Sequence, residues 1–119
     1  CCSGHDWLIA FLQAYNATGR TFSQSLGIHC YYNGAADYCI ERLAGMRAVY
    51  SGAMFVTEFN LLGGNSQEFG RLLQYIANNF VGYAAYTNRN DGGSYDIVGT
   101  NLVMSDGSLT PNGQVYAGR

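Results

Sequence analysis

The stretch "FVTEFN", Phe55-Val56-Thr57-Glu58-Phe59-Asn60, decides how this chain is read. It closes the apolar run Ala53, Met54, Phe55 and Val56, and a Gly63-Gly64 turn follows. A short apolar run bounded by turn residues reads as a buried strand. The chain has only eight acidic residues, and a carboxylate that leaves water needs partners to offset the cost. A Glu at the end of a buried strand therefore calls for an explanation.

Working outward, the same alternation recurs on both sides. Asp6 precedes a helical pattern with Leu8, Phe11, Leu12 and Tyr15 on one face, ended by Gly19. Ser25 to Tyr32 predicts a first strand, closed by Asn33-Gly34, and Ala35 to Tyr50 a second helix with Ala36, Ile40, Leu43 and either Met46 or Arg47 along a stripe. Met54 to Phe59 is the second strand. Asn65 with Glu68 three residues on has the pattern of a capping box, and the helix it opens carries Phe69, Leu72, Leu73, Ile76 and Phe80. Val81 to Tyr86 is a third strand. A polar loop over 87–95 leads to the apolar pairs Ile97-Val98 and Leu102-Val103, and Thr110-Pro111 opens a short last helix.

This rhythm predicts βαβ units, a parallel sheet and an α/β fold with no internal domain break over 1–119. The strands read as apolar on both faces, as in a sheet covered by helices. Three parallel strands leave two long edges unprotected. Further chain, a second copy or another partner is expected to cover them.

Composition limits the function classes. Charged residues make up 12% of the chain, all six positive charges are Arg, and the net charge is -2, so there is no basic footprint for nucleic acid. No apolar run reaches the roughly 18 residues of a membrane span. The start, Cys1-Cys2, lacks both Met and the pattern of a signal peptide, which reads as a processed or truncated product. Four cysteines allow three pairings. Cys30 and Cys39 are close enough to join a strand end to the next helix, and Cys1 and Cys2 can tie the terminus to them or to another segment. No C-x-x-C spacing supports zinc, so neither metal nor cofactor is expected. Asn16-Ala17-Thr18 is an N-glycosylation sequon. These features lean toward a secreted, oxidised protein.

In α/β folds, ligands gather at the carboxyl ends of parallel strands. Here those ends carry His29, Tyr31 and Tyr32, then Glu58 and Asn60, then Tyr83, Tyr86, Asn88 and Arg89. A carboxylate among tyrosines suits glycoside chemistry, in which the carboxylate attacks the sugar carbon and aromatic faces stack on sugar rings. The competing structural reading is an ion-paired surface Glu and ordinary aromatic packing. No G-x-S-x-G elbow, Walker loop or dinucleotide fingerprint is present.

"IHCYY", "AMFVTEFN", "VGYAAYTNR" and "SDGSLTPNGQVY" together resemble the last three βα units of a retaining clan A glycoside hydrolase, with glycoside hydrolase family 128 the nearest likeness. The resemblance covers the whole chain but about the C-terminal half of such a domain. It implies a partial (β/α)8 TIM barrel, strands six to eight, acting on β-1,3-glucan. It further implies Glu58 as nucleophile, Tyr31 as a hydrogen-bond donor to it, and His29, Tyr31, Tyr83 and Tyr86 as substrate-binding residues; their place at the same strand ends adds Tyr32 and Asn60 as substrate-binding candidates. The family's tryptophan on the last strand falls on Ala85. The clan's Asn-Glu pair, which supplies the general acid, is absent, leaving Asp91 and Asp96 as substitutes. The implied partners are a β-glucan and either the remaining half of the barrel or another copy. The alternative is a non-catalytic, glycan-binding or self-assembling half-barrel.

Overall fold

A computed structural model describes residues 2–63, 65–86 and 101–118. Among the described residues seven elements follow one another: α1 (Cys2–Ala17), β1 (Leu26–Asn33), α2 (Ala36–Val49), β2 (Met54–Leu62), α3 (Ser66–Asn79), β3 (Gly82–Ala85) and α4 (Pro111–Ala117). The expected α/β alternation is present, and the strands form one parallel sheet in the order β1-β2-β3. The loop over 87–95 and the pair Ile97-Val98 lie outside the described residues.

Local chemistry sets the helix ends. Asn65 caps α3, its side chain accepting from the Glu68 amide at 2.9 Å. The Glu68 carboxylate does not return to Asn65 as a reciprocal box would. It crosses to the Ala36 amide at the start of α2, also at 2.9 Å, and takes Arg71 as a second partner. One side chain thus ties the N-terminal ends of two helices together. That amide first, and Arg71 second, hold the Glu68 carboxyl below its ordinary value. Thr110 caps α4, accepting from the Gly113 amide, with Pro111 in the first turn. A side chain at Gly113 would place its Cβ 1.9 Å from the Leu102 carbonyl oxygen, so only glycine permits this approach.

The register of β2 shifts against both of its neighbours, and this determines where Glu58 points. Ile28 pairs with Val56, but His29 pairs with Glu58, so Thr57 is an extra residue in β2. Before it, Met54 and Val56 are buried; after it, Phe59 and Leu61 are. With strict alternation, Glu58 would share the side of Val56. The inserted residue reverses the parity and sends Glu58 to the opposite side, beside His29.

The core lies on one side of the sheet. Leu26, Ile28, Cys30, Met54, Val56, Phe59 and Leu61 meet Leu43, Met46, Phe69, Leu72, Leu73 and Ile76 from α2 and α3. Phe59 and Phe69 stack with ring centroids 5.7 Å apart. The other side carries Gly27, His29 and Thr57, all exposed. This corrects the expectation of a sheet apolar on both faces: the helices cover one. α1 also differs from its reading, since Leu12, Leu8 and Ile9 join the core while Phe11 is exposed and stacks on Trp7.

Cys30 and Cys39 form a disulfide with Cα atoms 5.8 Å apart, joining β1 to α2. Cys30 stands between His29 and Tyr31. The covalent link therefore anchors the part of β1 that carries both.

Candidate active site

β1 and β2 run side by side, so residues near their carboxyl ends meet although far apart in sequence. Glu58 sits at the centre. The Tyr31 hydroxyl donates to Glu58 Oε2 at 2.7 Å, and His29 Nδ1 lies 3.4 Å from the same oxygen. The His29 side chain is 51% exposed and that of Glu58 39%, so the cluster opens to solvent. Burial first, then the hydrogen bond to Glu58 and that residue's charge, push the Tyr31 hydroxyl far above the usual tyrosine range. Tyr31 therefore keeps its proton and remains a donor. Its ring meets Tyr86 edge-on, centroids 6.0 Å apart and planes at 87°.

Asn60 supports this arrangement from beneath. It is fully buried, its amide nitrogen donates to the Tyr86 carbonyl, and its oxygen accepts from the Leu61 amide at 2.8 Å. These bonds use its polar atoms to join the ends of β2 and β3. The expectation of direct substrate contact is corrected here: a fully buried side chain is out of a ligand's reach.

Two further expected residues point elsewhere. Tyr83 pairs with Val56 and turns to the helix side, its ring edge-on to Phe59 and Tyr116. Alternation along β3 places it across the sheet from Glu58. Tyr32, next to Tyr31, also leaves on the helix side and stacks on Tyr38 of α2. Asn88, Arg89, Asp91 and Asp96 lie outside the described residues, as does Cys1. Asn16 is exposed near the end of α1.

His5 and His29 are too far apart in sequence for a local motif, yet the fold brings them together. His5 is buried, and its Nε2 lies 2.7 Å from the His29 carbonyl oxygen. A carbonyl only accepts, so Nε2 carries the hydrogen. His5 thereby holds the backbone of a residue that faces Glu58. Its position one turn before Leu8 and Ile9, on the stripe that reaches Leu12, is the signal that could have placed it inward.

The remaining described carboxylates lie away from this cluster. Asp6 pairs with Arg42, Asp37 and Glu68 with Arg71, and Asp106 closes a turn with Ser108. Glu41 is on the exposed side of α2. Among the described residues no group of three His, Cys, Asp or Glu could hold a metal ion, and no helix is long and apolar enough to cross a membrane.

The family profile described as the glycosyl hydrolase catalytic core matches residues 2–116. The chain belongs to the glycosyl hydrolase catalytic core family. Two solved structures similar to this family member show the same fold. One is a subgroup IV endo-beta-1,3-glucanase of glycoside hydrolase family 128 from Lentinula edodes, 18% identical, with a TM-score of 0.64, covering 86% of this chain and 46% of that one. The other is a subgroup VII oligosaccharide-binding protein of the same family from Trichoderma gamsii, 19% identical, with a TM-score of 0.57, covering 90% and 45%. No curated protein matches the sequence. This glycosyl hydrolase core thus spans under half the length of the solved structures it matches. Its three parallel strands and flanking helices are the architecture of part of a TIM barrel.

Proposed function

We propose that the chain carries the nucleophile, Glu58, of a retaining β-glucan hydrolase and acts on β-1,3-linked glucan. The hydrogen bond from Tyr31 to Glu58, made at the carboxyl ends of parallel strands in a glycosyl hydrolase core, is the observation that carries this reading. The β-1,3 linkage is supported by the activity of the Lentinula edodes relative.

In a retaining mechanism a carboxylate attacks the sugar carbon through an oxocarbenium-like transition state, and a second carboxyl about 5–5.5 Å away protonates the leaving oxygen. Tyr31 and His29 would orient Glu58 by engaging Oε2. Tyr31 stays neutral and donating at ordinary pH, so it steadies the carboxylate without competing for the sugar. The described carboxylates other than Glu58 are turned to helix surfaces and a turn, so the general acid comes from outside the described residues. General acid catalysis contributes on the order of 10²–10⁴-fold. These residues alone therefore bind glucan and hydrolyse it poorly. The remaining half of the barrel, or a second copy, would complete the cleft. Export fits the Cys30–Cys39 disulfide and the exposed sequon at Asn16.

A second reading, a non-catalytic glycan-binding protein, is favoured by the oligosaccharide-binding relative from Trichoderma gamsii. Glu58→Gln separates the two. In the chain completed by the other barrel half, hydrolysis of a laminarin-type glucan is expected to collapse while binding persists. Hydrolysis that survives the substitution removes Glu58 from the nucleophile role. Absence of hydrolysis before the substitution, with glucan bound, supports the binding protein.

A further inference from the structure

Tyr31 and Tyr32 are consecutive on β1 and leave the strand on opposite sides. Tyr31 enters the Glu58 cluster. Tyr32 lies flat on Tyr38, ring centroids 4.0 Å apart and planes within 14°. The Arg42 guanidinium sits over the Tyr38 ring, 5.2 Å from its centroid, and pairs with Asp6 of α1. The result is a short stack built on α2, with Tyr32 as its open end, 40% exposed.

Three features distinguish this stack from a loose surface ring. Tyr32 and Tyr38 each adjoin a cysteine-bearing segment, and the Cys30–Cys39 disulfide fixes strand and helix together beside the rings. The end of β1 is further held by pairing of Tyr32 with Leu61 and Asn33 with Leu62. Tyr32 also stands at the same strand end as Glu58, one residue from the donor to that carboxylate. A rigid, flat, solvent-facing aromatic ring with a hydroxyl at its edge suits the apolar face of a pyranose, which stacks on aromatic surfaces while its hydroxyls stay hydrated.

We propose that the Tyr32–Tyr38 stack is an outer saccharide-binding platform, separate from the Glu58 cluster, that takes a distant sugar unit of a glucan chain passing over the end of β1. This deepens the glucan-binding reading above and rests on it. Adjacent tyrosines on opposite sides of a strand put their hydroxyl ends roughly 10–15 Å apart. A short oligosaccharide held at Glu58 does not reach Tyr32, and a longer one does.

Binding of a β-1,3-linked glucan trisaccharide and hexasaccharide to the chain completed by the other barrel half, measured by calorimetry, tests this. Tyr32→Ala is expected to weaken the hexasaccharide roughly 3- to 10-fold, the range of a single aromatic stacking contact, and to leave the trisaccharide unchanged. Tyr32→Phe, which keeps the ring, should restore hexasaccharide binding to near the unsubstituted level. Equal losses for both lengths, or no loss for either, overturn the platform and leave the Glu58 reading intact. Failure of the unsubstituted chain to bind either saccharide overturns both. Tyr32 is largely outside the core, so near-unchanged thermal unfolding of Tyr32→Ala confirms that the comparison is made on folded protein.

Discussion

Tyr31 of β1 donates its hydroxyl hydrogen to Glu58 Oε2 of β2 across 2.7 Å, although 27 residues separate them. The contact exists because parallel pairing sets His29 opposite Glu58, and because Thr57 is inserted just before that Glu. Tyr31 and Glu58 reach the same side of the sheet through a change of parity in β2.

Tyr31 is expected to be the last of the tyrosines to ionise. Its folded-state value is raised above the ordinary 10.0, by burial first and then by Glu58. The unfolded chain thus releases this proton at lower pH than the folded chain. The stabilisation is complete below about pH 10 and is lost as pH rises through the folded value. Alkaline titration followed by tyrosinate absorbance should show Tyr31→Phe removing a late step and leaving the early part of the curve unchanged. A missing early step would contradict the burial of this hydroxyl.

Replacing both Cys30 and Cys39 by Ser should lower stability by about 2–3 kcal/mol, the loop-closure value for a link of this span. Urea unfolding under non-reducing conditions measures it. Because Cys30 lies between His29 and Tyr31, the same variant should broaden the side-chain resonances of both. A variant as stable as the parent would mean that pairing and packing alone hold β1 to α2.

Gly113→Ala places a methyl group against the Leu102 carbonyl oxygen. The backbone of α4 must shift away, and a cost of about 1–3 kcal/mol is expected from overpacking of this kind. Thermal unfolding reads it directly. A change within about 0.5 kcal/mol would show that α4 moves freely relative to Leu102.

Asn65→Ala removes the cap of α3 and should cost about 1 kcal/mol. Glu68→Gln acts differently, because Glu68 reaches the Ala36 amide and Arg71. Its lowered value means the folded state holds the ionised form more firmly than the unfolded chain does. That contribution is present above the ordinary carboxylate range and disappears as pH falls through the lower folded value. Stability of the parent should therefore fall as pH drops below the ordinary carboxylate range, and Glu68→Gln should lack this pH-dependent part.

Much of the fold could be read locally. The caps at Asn65 and Thr110, the Asn33-Gly34 turn and the apolar stripes of α2 and α3 are short-range signals, set by backbone hydrogen bonding and the 3.6-residue period. The βαβ rhythm then dictates parallel pairing, which brings the ends carrying Tyr31 and Glu58 together. The direction of individual side chains was less legible. Tyr83 and Tyr32 are near Glu58 in register yet face the helices, since a one-residue difference reverses the face. Asn60 is a rim residue by position, and its side chain joins β2 to Tyr86.

The sequence by itself determined the α/β order, the helix ends, the Cys30–Cys39 proximity and the set of polar and aromatic residues at the strand ends. Only the tertiary structure decided which of them meet. The extra residue at Thr57 is invisible to periodicity, because a bulge is defined by the neighbouring strand against which residues are counted. His5 likewise gains its role from an edge carbonyl 24 residues away. Sequence patterns report what each residue prefers along its own element, whereas side, partner and reach arise when separate elements pack.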